Sequence, residues 1–241
     1  MTDLKFQQRI IAETDGIIAW NKPTGLLTSG QDLQDPDCAQ YWAMQYAGDM
    51  VWVLHQIDRD TSGVLLFAKK KKLVQRWQKR WHTSQFRKYY AALVHGQLDG
   101  DSSTIIDAPL KRMGRKGYTE VEVNDDGKEA RTEVWQLSTT GNYSLVVARL
   151  HTGRTHQIRA HMQHIGCPLI GEERYNAIPC GHHDRHALHA LAIVTDRAAP
   201  LDHMEAPMPD DLCRTADTLG IDLQALDGWA SRVGAGMMYT D

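Results

Sequence analysis

The sequence predicts an α+β fold, a mixed and mainly antiparallel sheet with helices packed on it, and three observations carry that prediction. Apolar runs of strand length are joined by turns of hairpin length, strand and helix patterns alternate irregularly, and no Gly-rich phosphate loop links a strand to a helix. The last two exclude a doubly wound nucleotide-binding sheet. With 241 residues, 42% apolar and 24% charged, the chain can bury a core and is not disordered. One catalytic-sized unit, residues 1–200, is expected, with an acidic extension, residues 201–241, packed on it or trailing from it.

The elements follow in order. Ile10-Ile11-Ala12 and Ile17-Ile18-Ala19-Trp20 flank an Asp15-Gly16 turn and predict a hairpin, ended by Asn21-Lys22-Pro23-Thr24-Gly25. Residues 36–47 begin with Pro36 and are followed by Gly48, the asymmetry of a short helix. Val51-Trp52-Val53-Leu54 and Val64-Leu65-Leu66-Phe67-Ala68 predict two buried strands that hold the polar segment 55–63 between them. Residues 70–81 place Leu73, Trp77 and Trp81 at i, i+4 and i+8, with Val74 beside them, and Lys72, Arg76, Lys79 and Arg80 on the other side. This is an amphipathic helix with a basic face. Strands are predicted at 88–94, 131–137, 143–150 and 186–195, and a helix at 155–165 ending at Gly166.

Charge is unevenly distributed although the formal net charge is only −3, which argues against a wholly basic coat for nucleic acid. Residues 69–90 carry nine Lys/Arg and no acid, whereas residues 196–241 carry nine acids and three arginines, so the first region can attract phosphate and the second would repel it. Cys38, Cys167, Cys180 and Cys213 contain no CxxC pair, so neither a zinc ribbon nor a disulfide framework is indicated. No stretch approaches the ~20 apolar residues of a membrane span, and residues 1–5 lack a signal-peptide core. A cytoplasmic location is therefore expected, with no membrane partner.

Four constellations could carry chemistry. Segment 55–63 holds Asp58 and Asp60 two apart, emerging from the core at a place set by its flanking strands, with Gly63 permitting a sharp exit. Residues 152–161 offer six donors in ten positions, suited to a polyanion or a buried carboxylate; as a helix they would turn Ile158, Met162 and Ile165 to the core and set His156, Arg159 and Gln163 in a polar stripe beside it. His182, His183, His186 and His189 make a metal hydrolase conceivable, but no HExxH pair is present. In Lys88-Tyr89-Tyr90, strand alternation puts the two rings on opposite faces, so one could be offered to a base.

His55-Gln56-Ile57-Asp58-Arg59-Asp60-Thr61-Ser62-Gly63 resembles the His-Arg-Leu-Asp-x-x-Thr-Ser-Gly signature of the RluA-type pseudouridine synthases. Gly153 through His161 resembles their Gly-Arg-Thr-His-Gln-Ile-Arg-x-His motif. The resemblance is reinforced by Asn21 to Leu26, Lys88-Tyr89-Tyr90, Ile165 to Gly171 and Leu188-His189-Ala190, and so covers roughly residues 10–195. It implies the pseudouridine synthase catalytic fold and a cofactor-free isomerase that cuts the N1–C1′ bond of a uridine in rRNA or tRNA, turns the base and rejoins it through C5. In such an enzyme Asp58 is the essential carboxylate, Tyr90 the ring against the target base, and Arg159 the cation that holds Asp58 ionised beside phosphates. Gln56, Arg59, Lys72, Arg76, Lys79, Lys88 and Arg154 are the expected RNA-binding residues, with no metal site and a monomeric protein. Gln56 stands where the family has an arginine that fills the space of the flipped base, and an amide supplies neither charge nor guanidinium stacking there. The rival from another class is a catalytically silent RNA-binding module of the same fold.

Overall fold

The structure is a computed structural model that describes residues 3–81, 83, 85–98, 102–114, 120–175, 182–197 and 200–235. Cys180 and residues 236–241 of the acidic extension lie outside them. In chain order the elements are α1 (Asp3–Gln7), β1 (Ile10–Glu13), β2 (Ile17–Lys22), α2 (Ala39–Ala47), β3 (Trp52–Val53), β4 (Ser62–Ala68), α3 (Lys71–Arg80), β5 (Phe86–His95), β6 (Thr104–Asp107), β7 (Leu110–Met113), β8 (Glu120–Val123), β9 (Arg131–Thr140), β10 (Tyr143–Leu150), α4 (Gln157–His164), β11 (Leu188–Thr195), β12 (His203–Glu205), α5 (Asp210–Leu219), a 3-10 turn (Leu223–Leu226) and α6 (Trp229–Arg232). The chain forms two compact units, Met1–Arg87 with Ala190–Pro207, and Lys88–His189 with Met208–Gly236. No described helix is long and apolar enough to cross a membrane.

In the first unit β1 and β2 form the expected hairpin, closed by Thr14 Oγ1, which accepts from the backbone N–H of Gly16 and Ile17. β2 runs antiparallel to β4, from Ile17 opposite Ala68 to Lys22 opposite Gly63, and β12 pairs antiparallel with β11. Every residue of β4 is buried, as its unbroken apolar run requires. Trp77 and Trp81 of α3 join Ile17, Leu66, Phe86, Ile193 and Met204 in one core cluster, with Leu73 and Val74 partly buried against it. The apolar stripe of α3 therefore lies where its periodicity places it. Helix α2 starts at Ala39 rather than Pro36, because Asp35 folds residues 35–38 into a turn: its Oδ1 accepts from Asp37 N and its carbonyl from Cys38 N. The left-handed Gly48 ends the helix as expected.

In the second unit β5 from Lys88 onward pairs with β10, β10 with β9, and β9 with β6, all antiparallel, while β7 and β8 form a separate ribbon. Its core joins Leu93, Leu145, Ile170 and Ala187 to Leu212, Ala216, Ile221 and Ala225. Much of the acidic extension is thus core-forming. Helix α5 turns Leu212 and Ala216 inward, carries Asp210 and Asp211 in its first turn where the helix dipole favours acids, and ends at left-handed Gly220. Cys38 and Cys167 are buried and Cys213 half-buried, and burial is the main cause that raises the Cys38 thiol to about 11.

Candidate active site

The loop that carries Asp58 is a turn, closed by Thr61 N donating to the Asp58 carbonyl at 3.1 Å. Its main-chain groups are gripped from the segment after β2. Thr28 Oγ1 donates to Ile57 O at 2.7 Å and accepts from Ile57 N at 3.2 Å, Thr24 Oγ1 donates to Asp60 O at 3.3 Å, and Gly25 N donates to Arg59 O at 3.0 Å. The fully buried Lys22 Nζ donates to Arg59 O, Leu26 O and Pro23 O at 2.8–2.9 Å. At the start of the loop His55 stacks on Trp81, 4.7 Å between ring centres, and its Nε2 accepts from Leu66 N at 3.2 Å, which leaves a neutral ring's proton on Nδ1. At its end Gly63 has φ +109°, and a Cβ there would lie 2.2 Å from the Ala190 carbonyl oxygen. Glycine is thus required by both conformation and space.

Asp58 is half-buried, and Gln56 and Arg59 are exposed beside it in sequence. Gln56 Nε2 donates to Ser29 Oγ at 2.9 Å, and Arg59 Nε donates to Gly25 O at 2.9 Å with its guanidinium 3.8 Å from Asp37. On α3, Lys72, Arg76 and Lys79 are exposed, so the predicted basic face exists.

The second unit holds the other half of the predicted set. Tyr90, opposite Ala148 of β10, is 8% exposed, and Tyr89 is fully buried with its ring 4.9 Å from that of Trp229. Lys88, expected among the RNA-binding residues, is buried, and desolvation pushes its ammonium down to about 8. It sits in the register of a buried strand, and position there outweighs side-chain polarity. Arg154 is exposed and donates from Nε to Glu129 O at 2.9 Å.

Helix α4 buries Ile158 and Met162 as expected, while Ile165 at its end is only half-buried. It also buries Gln157, Arg159 and His161, and that departs from the polar stripe the periodicity predicts. Gln157 makes four hydrogen bonds: its Oε1 accepts from Thr152 Oγ1 and Arg154 N, and its Nε2 donates to Arg131 O and Thr132 Oγ1. The ring nitrogens of His161 reach Thr132 Oγ1 and Ala108 O, both at 2.9 Å. Arg159 forks onto the fully buried side chain of Glu172, Nε to Oε2 at 2.7 Å and Nη2 to Oε1 at 2.8 Å. The donor-rich motif thus meets a buried carboxylate, Glu172, which the sequence did not single out. The missing signal was Gly171, at φ +70° with room for no Cβ beside the Arg185 carbonyl, which brings Glu172 in close.

The histidines after residue 181 have local partners. His183 Nδ1 shares a hydrogen bond with Thr215 Oγ1 at 2.8 Å, and His182 Nε2 lies 3.5 Å from the Tyr143 hydroxyl. Burial, with Arg159 and Arg185 nearby, pushes His186 down to about 2, so it stays neutral. Among the described residues no group of three or more His, Cys, Asp or Glu could hold a metal ion, and the metal-hydrolase rival has no centre there.

The family described as RNA pseudouridylate synthase matches residues 16–164, a span that includes both the Asp58 loop and α4. The chain is 36% identical over 169 residues to an uncharacterized RNA pseudouridine synthase, YlyB, of Bacillus subtilis, covering 69% of this chain and 55% of that one. It is 34% identical over 224 residues to the ribosomal large subunit pseudouridine synthase C of Vibrio vulnificus, covering 89% and 70%. The human RNA Pseudouridylate Synthase Domain Containing 4 shares the fold, with a TM-score of 0.74 at 21% identity over 90% of this chain and 95% of that one.

Proposed function

Because this chain belongs to the RNA pseudouridylate synthase family, we propose that it converts uridine to pseudouridine within ribosomal or transfer RNA, with Asp58 as the essential carboxylate. The reaction breaks N1–C1′ and forms C5–C1′; the hydrogen on C5 leaves as a proton and N1 gains one. No electrons are exchanged with a second reactant. Arg159 serves as the cation that favours the ionised carboxylate, and Tyr90 as the surface that receives the base once it has left its stack. The exposed cations Lys72, Arg76 and Lys79, with Arg154, Arg59 and Gln56, contact phosphate and sugar; Lys88 joins them from its buried place in β5. The name of the Vibrio relative favours ribosomal RNA among the substrates. The protein acts as a monomer in the cytoplasm.

One observation supports this reading most: the family match spans the two segments on which the structure concentrates its buried polar anchoring, the turn at Asp58 and the N-terminal turn of α4. A catalytically silent RNA-binding module would share the basic face of α3. Mapping pseudouridine in total RNA from cells with and without the gene separates the two: loss of one or more sites, restored by the wild-type gene and not by Asp58→Asn, is expected. An unchanged map would leave RNA binding alone.

A further inference from the structure

Glu172 and Tyr175 follow α4 in sequence and close back on it. The Glu172 side chain is fully buried and accepts four hydrogen bonds: two from the Arg159 guanidinium, one from Arg174 N at 2.9 Å and one from Tyr175 N at 3.4 Å. The backbone bonds hold the carboxylate in place, and the carboxylate in turn fixes the plane of the guanidinium, because a fork accepts only one orientation. Tyr175 covers the same group from another side, its ring centre 5.3 Å from Arg159 Cζ. Its hydroxyl accepts from Val121 N at 3.2 Å and shares a 2.7 Å hydrogen bond with His156 Nδ1. His156 is the one described non-glycine residue with positive φ, at +52°, and it opens α4. The segment thus grips both the residue that caps the helix and the guanidinium about one turn on.

We infer that Glu172 and Tyr175 are positioning residues for the isomerisation, acting through Arg159 by setting where its guanidinium can reach. This rests on the reading that Arg159 serves the reaction. A buried ion pair contributes little net stability when well-packed apolar groups could replace it, whereas an arginine that must present its remaining donors in one direction gains from a fixed fork. Misplacing a catalytic cation by an ångström slows turnover by roughly 100-fold.

The test uses total RNA from cells lacking the gene, with pseudouridine formation as rate and filter retention as binding. Glu172→Gln should slow formation by roughly 100-fold with RNA retention unchanged, and Glu172→Asp, which keeps the charge, should slow it far less. In the Arg159→Leu background, Glu172→Gln should cost no further rate and should raise the melting temperature, since it removes a buried carboxylate left without its arginine. If Glu172→Gln alone does not fold, Glu172→Asp carries the cycle: slower in the wild-type background, without effect in Arg159→Leu. A slow Arg159→Leu variant beside a Glu172→Gln variant of wild-type rate overturns the proposal, as do losses that multiply in the double variant. Full activity in Arg159→Leu overturns instead the role of Arg159 itself.

Discussion

The loop that carries Asp58 and the helix that carries Arg159 are anchored by different chemistry. The loop is held through main-chain groups of Ile57, Arg59 and Asp60, gripped by Lys22, Thr24, Gly25 and Thr28. The helix is held through its own side chains, Gln157, Arg159 and His161, each buried on a polar partner. A consequence follows for how each can be probed. Asp58→Asn keeps the shape of the side chain and leaves these main-chain anchors in place, so it reports chemistry, whereas replacing Arg159 also removes part of the packing of its own unit.

The sharpest way to break the loop's anchoring is Gly63→Ala. It adds a Cβ against the Ala190 carbonyl at a left-handed φ, and strain and overpacking together should destabilise by about 4 kcal/mol, read as a lowered midpoint in urea. Lys22→Met comes next. It strips donors from three buried or partly buried carbonyls, a loss of about 3 kcal/mol and roughly 6–12 °C in melting temperature; an unchanged melting temperature would mean that the loop does not depend on this ammonium.

The second region should be the acid-sensitive one. His186 is held far below its ordinary value by burial and neighbouring cations, so as pH falls below about 6.5 the unfolded chain takes up a proton that the folded chain refuses, and stability drops. Between pH 6.5 and 5 the loss reaches at most about 2 kcal/mol, and His186→Gln should flatten it in urea titrations at the two pH values. The smallest effect on stability belongs to the surface of α3. Replacing Lys72, Arg76 and Lys79 by Ala should leave folding within about 0.5 kcal/mol, yet lower the slope of log affinity against log salt by about 2 for single-stranded RNA. An unaltered slope would assign these cations to solvent.

Much of this contrast was legible in the sequence, and the unread part has a physical cause. The β1–β2 hairpin, the apolar run 64–68 of β4 and the tryptophan stripe of α3 were readable because local periodicity and core packing agree there. Segment 55–63 was readable as a polar loop for the same reason, although the strand before it is shorter than expected, only Trp52–Val53, and half-buried rather than buried. Glu172 was not found, because its partner on α4 lies thirteen residues away across a turn whose tightness depends on Gly171. Lys22 was read as part of a strand break and of a segment that carries the family resemblance, and its anchoring role went unread because the acceptors are carbonyls, which sequence does not single out. Lys88 was expected among the RNA-binding residues on account of its charge, and the structure buries it in β5. In α5 the acids masked an amphipathic helix whose Leu212 and Ala216 complete the second core.

The central claim is that Asp58 drives a uridine isomerisation, and the hydrogen on C5 reports it directly, because C5 cannot become the glycosidic carbon without releasing that hydrogen. RNA transcribed with tritium at C5 of uridine, taken from a sequence shown by mapping to be modified, should release tritium to water with the wild-type protein. Asp60→Asn should release it at a comparable rate, and Asp58→Asn, with an unchanged melting temperature, should release it slower by roughly 10³-fold or more. Release by Asp58→Asn at the wild-type rate, or its loss in Asp60→Asn alone, would contradict the assignment of the carboxylate.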